Sequence, residues 1–141
     1  MVLVDSSVWI ESARRQGDLA TKVALRALLD EYEAAWCSPV RLEVLGGSRR
    51  EERRALEMFF AVIPYAECRE AEWDAAKALA WRGREAGHTL PWNDYLISAT
   101  AAARGWRVYA RDVHFKTLAE LGGAFIYTPG YGGTYQDEIE K

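Results

Sequence analysis

Apolar residues in this chain come in short bursts separated by longer amphipathic stretches. The first burst, Val2-Leu3-Val4, is continuous and reads as a short buried strand running directly into an acid, Asp5. Ser6 or Ser7 then caps a short helix through Ala13, and Gly17-Asp18 punctuates the chain. Leu25, Leu28, Leu29, Tyr32 and Trp36 follow helical spacing, which predicts an amphipathic helix over residues 19–33. Residues 35–37 read as a second strand. Ser38-Pro39 opens a helix that runs to Leu45 and stops at Gly46-Gly47. Another helix is expected over residues 49–60, with Ala55, Leu56, Phe59 and Phe60 inward. Residues 62–65 form a third strand that Pro64 confines to a sheet edge. Residues 70–86 are helical with Trp73, Ala76 and Ala80 on one face, and Gly87 ends them. Pro91 or Asn93 begins a helix through Arg104, closed by Gly105. A fourth strand (107–110), a short helix (113–121) and a fifth strand (124–127) complete the pattern.

Strands alternating with helices predict an α/β domain with a mostly parallel sheet of about five strands, flanked by helices. Ligands of such sheets collect at the carboxyl ends of the strands. Asp5 directly follows the first strand, and Asp112 lies two residues beyond the fourth. Asp94 stands in the first turn of a helix whose body, residues 95–103, is almost uniformly apolar. Glu43 lies among Val40, Leu42, Val44 and Leu45. An unpaired buried carboxylate is costly, so such groups are paired, neutralised or bound to a metal. Each acid also has an ordinary structural reading. Asp5 and Asp94 suit helix N-termini, Glu43 could pair with Arg41 or a distant arginine, and Asp112 could sit in a turn. Together, however, separate α/β units each present an acid near one sheet edge. A cluster of four would repel itself without a cation, and Mg²⁺ or Mn²⁺ suits such an oxygen set.

With 141 residues the chain has the size of one domain, and half of it is hydrophobic, enough for one core. No apolar run approaches the ~18–20 residues needed to cross a bilayer. The N-terminus carries neither a basic leader region nor a small-residue cleavage site, so the expected compartment is the cytoplasm. A net charge of −3 excludes a global field that attracts nucleic acid, so any such contact must be local. Only Lys22, Lys77, Lys116 and Lys141 of the 18 basic residues are lysines. That bias reflects either phosphate-binding arginines or the source genome's composition. Cys37 and Cys68 have no zinc-site spacing and read as buried free thiols, with a disulfide between them left open. The run Arg49-Arg50-Glu51-Glu52-Arg53-Arg54 is either a solvated helix face or a patch facing RNA or a partner. His88 and His114 fall outside any metal-ligand pattern, and His114, near Asp112, is expected at the surface, with RNA contact as the alternative. Most of the six tryptophans are expected in the core, with Trp9 and Trp92, each near an acid, as alternatives for lining a groove. Residues 1–128 form the expected domain, and the Gly- and Tyr-rich acidic segment 129–141 a mobile or docked tail.

Four stretches, in order, resemble the motifs of the PIN-domain family and, within it, the VapC-type toxins of toxin–antitoxin pairs. They are Val2-Leu3-Val4-Asp5-Ser6-Ser7, Ser38-Pro39-Val40-Arg41-Leu42-Glu43, Leu90-Pro91-Trp92-Asn93-Asp94-Tyr95, and Val108-Tyr109-Ala110-Arg111-Asp112-Val113-His114. The resemblance implies a three-layer sandwich and a Mg²⁺- or Mn²⁺-dependent endoribonuclease. It implies Asp5 and Asp94 as direct metal ligands, with Glu43 and Asp112 completing the site through water or as general base. Ser7 would orient a carboxylate or contact substrate phosphate, unless it only caps its helix. RNA as substrate, a small antitoxin and a homodimer are implied as partners. The chain departs from the family pattern at Ala110, where Thr or Ser is common, and at His114, where another Asp is common. Both departures bear on how a second metal or a positioned water is held near Asp112, and they support a rival reading, a PIN-like module that binds RNA or protein without cutting. A receiver-type phosphoacceptor would need paired acids after the first strand. A haloacid-dehalogenase-like phosphatase would need Asp-x-Asp, which Ser7 excludes.

Overall fold

The computed structural model describes residues 1–130. Four parallel strands, β1 (Val2–Val4), β2 (Ala34–Cys37), β3 (Tyr65–Ala66) and β4 (Arg107–Tyr109), form a sheet in the order β3-β2-β1-β4. The helices are α1 (Ser6–Ala13), α2 (Leu19–Asp30), α3 (Ser38–Gly46), α4 (Arg53–Phe60), α5 (Glu70–Glu85), α6 (Trp92–Ala103) and α7 (His114–Glu120). Every residue of β1 and β2 is buried, as expected for strands covered on both faces. The expected fifth strand reaches its predicted place but not its length. Residues 124–127 align beside β4 through one parallel bridge, Val108 to Ile126, with Val108 N donating to Phe125 O at 3.0 Å and Tyr127 N to Val108 O at 2.8 Å.

Several local expectations shift for identifiable reasons. Asp5, not Ser6 or Ser7, caps α1, its Oδ2 accepting from Ser7 N at 3.0 Å. Helix α2 stops at Asp30 because Tyr32, at φ 57°, turns the chain into β2. Strand β3 begins after Pro64, whose carbonyl accepts from Trp36 N at 3.0 Å, and it is the edge strand. Ser38 does not cap α3. Its hydroxyl instead accepts from the Tyr65 hydroxyl at 2.9 Å and Cys68 N at 3.3 Å, tying β3 to the start of α3. Of the four residues expected inward on the 49–60 segment, Phe60 is buried and Leu56 partly so, whereas Ala55 and Phe59 are exposed. Phe60 anchors α4 between the rings of Trp9 and Trp36. The preceding charge run is exposed, with Arg49 paired to Glu52 at 2.8 Å.

The tryptophans divide. Trp9 and Trp36 are buried and Trp106 partly so, but Trp73, Trp81 and Trp92 are 54%, 59% and 78% exposed. Both cysteines are free; Cys37 is buried and Cys68 half-buried. A buried acid absent from the sequence-level expectations, Glu72, lies on α5 and pairs with Arg104 at 2.9 Å and Arg69 at 3.1 Å. Helix α5 packs along α6 at Gly83, where an added methyl would run into the Tyr95 hydroxyl. Among the described residues no helix is long and apolar enough to cross a membrane. Residues 131–141 of the expected acidic tail lie outside the described residues.

Candidate metal centre

The strand order makes the position of the site intelligible. From β1 the chain moves one way to β2 and β3, and later returns to β4 on the opposite side of β1. The crevice beyond the carboxyl ends of β1 and β4 is therefore the topological switch point, where open α/β sheets bind ligands. Asp5 leaves β1 there, its backbone N–H bonded to Tyr109 O at 2.9 Å. Asp112 follows β4 there. Helix α6, packed on both strands, brings Asp94 in its first turn, and α3 brings Glu43. All four acids line one depression of about 760 Å³, together with Ser6, Ser7, Trp92, Asn93 and Arg111.

The individual placements differ. Asp5 is buried, and its Oδ2 accepts from both the amide and the hydroxyl of Ser7, at 3.0 and 2.6 Å. Ser7 Oγ also accepts from Arg111 N at 3.0 Å, which ties α1 to the segment after β4. With its proton committed to Asp5, the Ser7 hydroxyl orients that carboxylate. Asp94 is 13% exposed and Asp112 is at the rim. Glu43 is exposed, contrary to the expectation drawn from its apolar neighbours. Pro39 and Val40 turn inward on α3, so Arg41, Leu42 and Glu43 face outward, and of these Glu43 reaches the depression.

His114 is the residue that sequence reasoning set aside and the fold brings in. Its Nδ1 lies 3.0 Å from Asp94 Oδ2 and 2.9 Å from Asp112 Oδ1, and the three side chains form a cluster able to hold a cation. The available signal was positional, since His114 stands where the resembled family often has another acid. Asn93 and Arg111, also unassigned from sequence, line the depression. Of the two tryptophans flagged near acids, Trp9 is buried with its indole N–H on Val4 O at 3.0 Å, while Trp92 is at the rim.

The carboxyls carry the electrostatic signature of a cation site. Burial raises the pKa of Asp5 above the ordinary range against its Ser7 bonds, and Asp112 adds to the rise. Partial desolvation by the walls of the depression raises Glu43 although its side chain is open to solvent, with Asp5 adding repulsion, while Ser6 and Asn93 favour its charged form. Asp94 is pushed up to about 6, first by burial and then by Asp5 and Asp112, despite the His114 hydrogen bond. The nearby arginines are occupied elsewhere. Arg111 binds Asp18 at 3.3 Å and Thr21 at 2.6 Å, and Arg14 binds Glu11 at 3.5 Å. Mutually repelling carboxylates with no arginine or lysine paired to them among the described residues fit a hard divalent cation, whose charge would reverse these shifts.

A parallel α/β domain with acids converging at the switch point defines a class of small acidic-site domains, and sequence comparison names the family. The PIN domain model matches residues 2–121, and the chain belongs to the PIN domain family. The chain is 34% identical over 126 residues to VapC ribonuclease Mb1587 of Mycobacterium bovis, covering 86% of this chain and 93% of that one. It is also 34% identical over 123 residues to ribonuclease VapC19 of Mycobacterium tuberculosis, covering 86% and 97%. Among solved structures, a toxin–antitoxin complex from Klebsiella pneumoniae has the same fold, with a TM-score of 0.66, 21% identity and coverage of 80% and 88%.

Proposed function

We propose that the chain is a Mg²⁺- or Mn²⁺-dependent endoribonuclease and the toxin of a toxin–antitoxin pair. The convergence of Asp5, Glu43, Asp94 and Asp112 at the switch point, with three of them held above the ordinary carboxylate range, carries this reading. The ribonuclease names of relatives 34% identical over most of the chain support the substrate class. Asp5 and Asp94, the most enclosed acids, are the direct ligands, and Glu43 and Asp112 complete the site through water or as general base. Ser7 orients Asp5, and His114 spans Asp94 and Asp112. A bound divalent ion supplies a water of lowered pKa and stabilises charge on the scissile phosphate.

The partner half of the reading rests on a second depression. Trp9, Ile10, Leu25, Leu29, Leu56 and Phe59 line an apolar groove between α1, α2 and α4, which Ile10 and Arg14 join to the acidic depression. An amphipathic segment of a small antitoxin seated there would stand beside the acids and block access to them. Phe59→Asp is then expected to abolish neutralisation by the antitoxin while RNA cleavage persists. A homodimer in the cytoplasm completes the reading, and sedimentation of the purified chain tests the dimer.

The deciding experiment incubates structured and unstructured RNA with the protein, with Mg²⁺ or Mn²⁺, with chelator, and with Asp5→Asn. Cleavage that ignores chelator and survives Asp5→Asn would sink the metal-nuclease reading. The rival, a non-cutting RNA- or protein-binding module, draws on His114, whose Nδ1 already bridges two of the acids. Tight metal-independent RNA binding without cleavage would favour it.

A further inference from the structure

Helix α5, the turn after it and the start of α6 enclose a third depression, of about 1010 Å³. Its lining includes Trp73, Lys77, Trp81, Arg84, His88 and Trp92 and, among the described residues, no carboxylate. In a chain of net charge −3, an acid-free lining with two fixed cations and a histidine is a local reversal of sign. Lys77 stands 5.3 Å from the centre of the Trp81 ring and only 3.7 Å from Asp74, which shares its charge. Arg84 makes no ion pair among the described residues and is the free cation of the groove. Trp92 belongs to both depressions. It is the first residue of α6, two positions before Asp94, and its ring leans on buried Tyr95 at 6.2 Å while remaining 78% exposed. Trp92 therefore stands between the groove and the acid cluster and borders both.

We propose that this groove is the track for the single-stranded RNA flanking the scissile phosphate, with bases stacked on Trp92 and Trp81 and a phosphate held by Arg84. The inference rests on the ribonuclease reading and adds where the substrate lies. Exposed rings in a cationic groove are what single-stranded nucleic acid requires, because every base has a face to stack and every linkage a charge. The other occupant considered is a second copy of this chain. A two-fold contact would set the same patch against itself, Lys77, Arg84 and His88 from each copy, with no carboxylate lining either side. The charge pattern favours RNA.

The test uses the full chain, with chelator present so that RNA is bound but not cut. Affinity for a labelled single-stranded RNA of ~12 nucleotides is measured for the wild type, Trp81→Ala, Trp92→Leu, Trp92→Phe and Arg84→Gln. Trp81→Ala and Trp92→Leu are expected to weaken binding roughly 5- to 100-fold each, and Trp92→Phe to keep most of it. Arg84→Gln should reduce the slope of log affinity against log salt by about 0.7. Placing an abasic nucleotide at the register read by Trp92 should weaken wild-type binding and leave Trp92→Leu nearly unaffected. With metal added, Trp81→Ala should raise KM more than it lowers kcat. Unchanged affinity in Trp81→Ala and Trp92→Leu would overturn the proposal. So would unchanged affinity accompanied by loss of a dimer in sedimentation, which would make this face a contact between copies. The two readings fail separately. Metal-dependent cleavage with affinity indifferent to these substitutions leaves the nuclease and removes the groove. Ring-dependent binding without cleavage under any metal leaves the groove and removes the nuclease.

Discussion

Replacing Asp94 with asparagine is expected to make the metal-free protein more stable at neutral pH. The Asp94 carboxyl rises from 3.8 to about 6, chiefly through burial. That is a shift of about two units, and each unit corresponds to ~1.4 kcal/mol, so ionised Asp94 costs the metal-free fold up to about 3 kcal/mol. Residual solvent contact and imperfect replacement of the His114 bond reduce the expected gain of the variant to about 1–2 kcal/mol. The sign follows from proton occupancy. Because the folded-state pKa lies above the unfolded one, the native protein holds this proton between about pH 4 and pH 6 while the unfolded chain has released it. Stability of the wild type therefore falls as pH rises through that window, and the penalty is complete above it. The advantage of Asp94→Asn should be absent near pH 4, grow to about pH 6 and then level off. Urea melts in chelator at a series of pH values measure it directly. In thermal melts at pH 7 the gain is ~3–8 °C for a chain of this length. Adding Mg²⁺ should stabilise the wild type by mass action and leave the variant nearly unchanged, which separates the acid cluster from a general charge effect. A variant that is no more stable than the wild type at pH 7, or whose advantage does not vary between acid and neutral pH, would refute the reasoning.

Three further substitutions probe the supports of the site. Glu72→Ala removes the acid between Arg104 and Arg69 and leaves Arg104 covered without its partner, so urea melts should show a loss of about 2–4 kcal/mol; a loss under ~1 would mean the pair is solvated. Gly83→Ala forces a methyl against the Tyr95 hydroxyl where α5 crosses α6, and is expected to cost ~1–3 kcal/mol by the same measurement. Ser7→Ala keeps the backbone bond to Asp5 but removes the hydroxyl that orients it. Cleavage titrated with Mg²⁺ should require ~10–100-fold more metal, whereas an unchanged midpoint would make Ser7 merely a link to Arg111.

Much of the fold was legible because the chain marks its own boundaries. Gly87 and Gly105, both at positive φ, close α5 and α6 where the pattern placed their ends. Pro64 stands immediately before the edge strand. The alternation of strand and helix, with an acid after β1 and another after β4, was enough to predict one acidic sheet edge. Each of these signals is local, set by the conformations a few consecutive residues allow, and can be read from the chain alone.

The remaining features depended on which surfaces the tertiary structure covers. Periodicity shows that a helix has an apolar face, but not whether the chain has another element to lay on it. Phe59, Trp73 and Trp81 therefore read as core and emerged at the surface, where they line grooves. Glu43 looked buried from its neighbours, yet its helix turns it outward. Glu72 gave no sign of burial, because its partner Arg104 lies 32 residues away, just past the end of α6. His114 fell outside any spacing rule and reaches Asp94 only because α6 and the segment after β4 meet across the crevice. The sequence by itself determined the parallel α/β order, the places of β1 and β4 and the acids that follow them, since these rest on neighbouring residues. Only the tertiary structure decided which charges pair, which tryptophans stay exposed and how a histidine enters the acid cluster, since those outcomes rest on contacts between elements far apart in the chain.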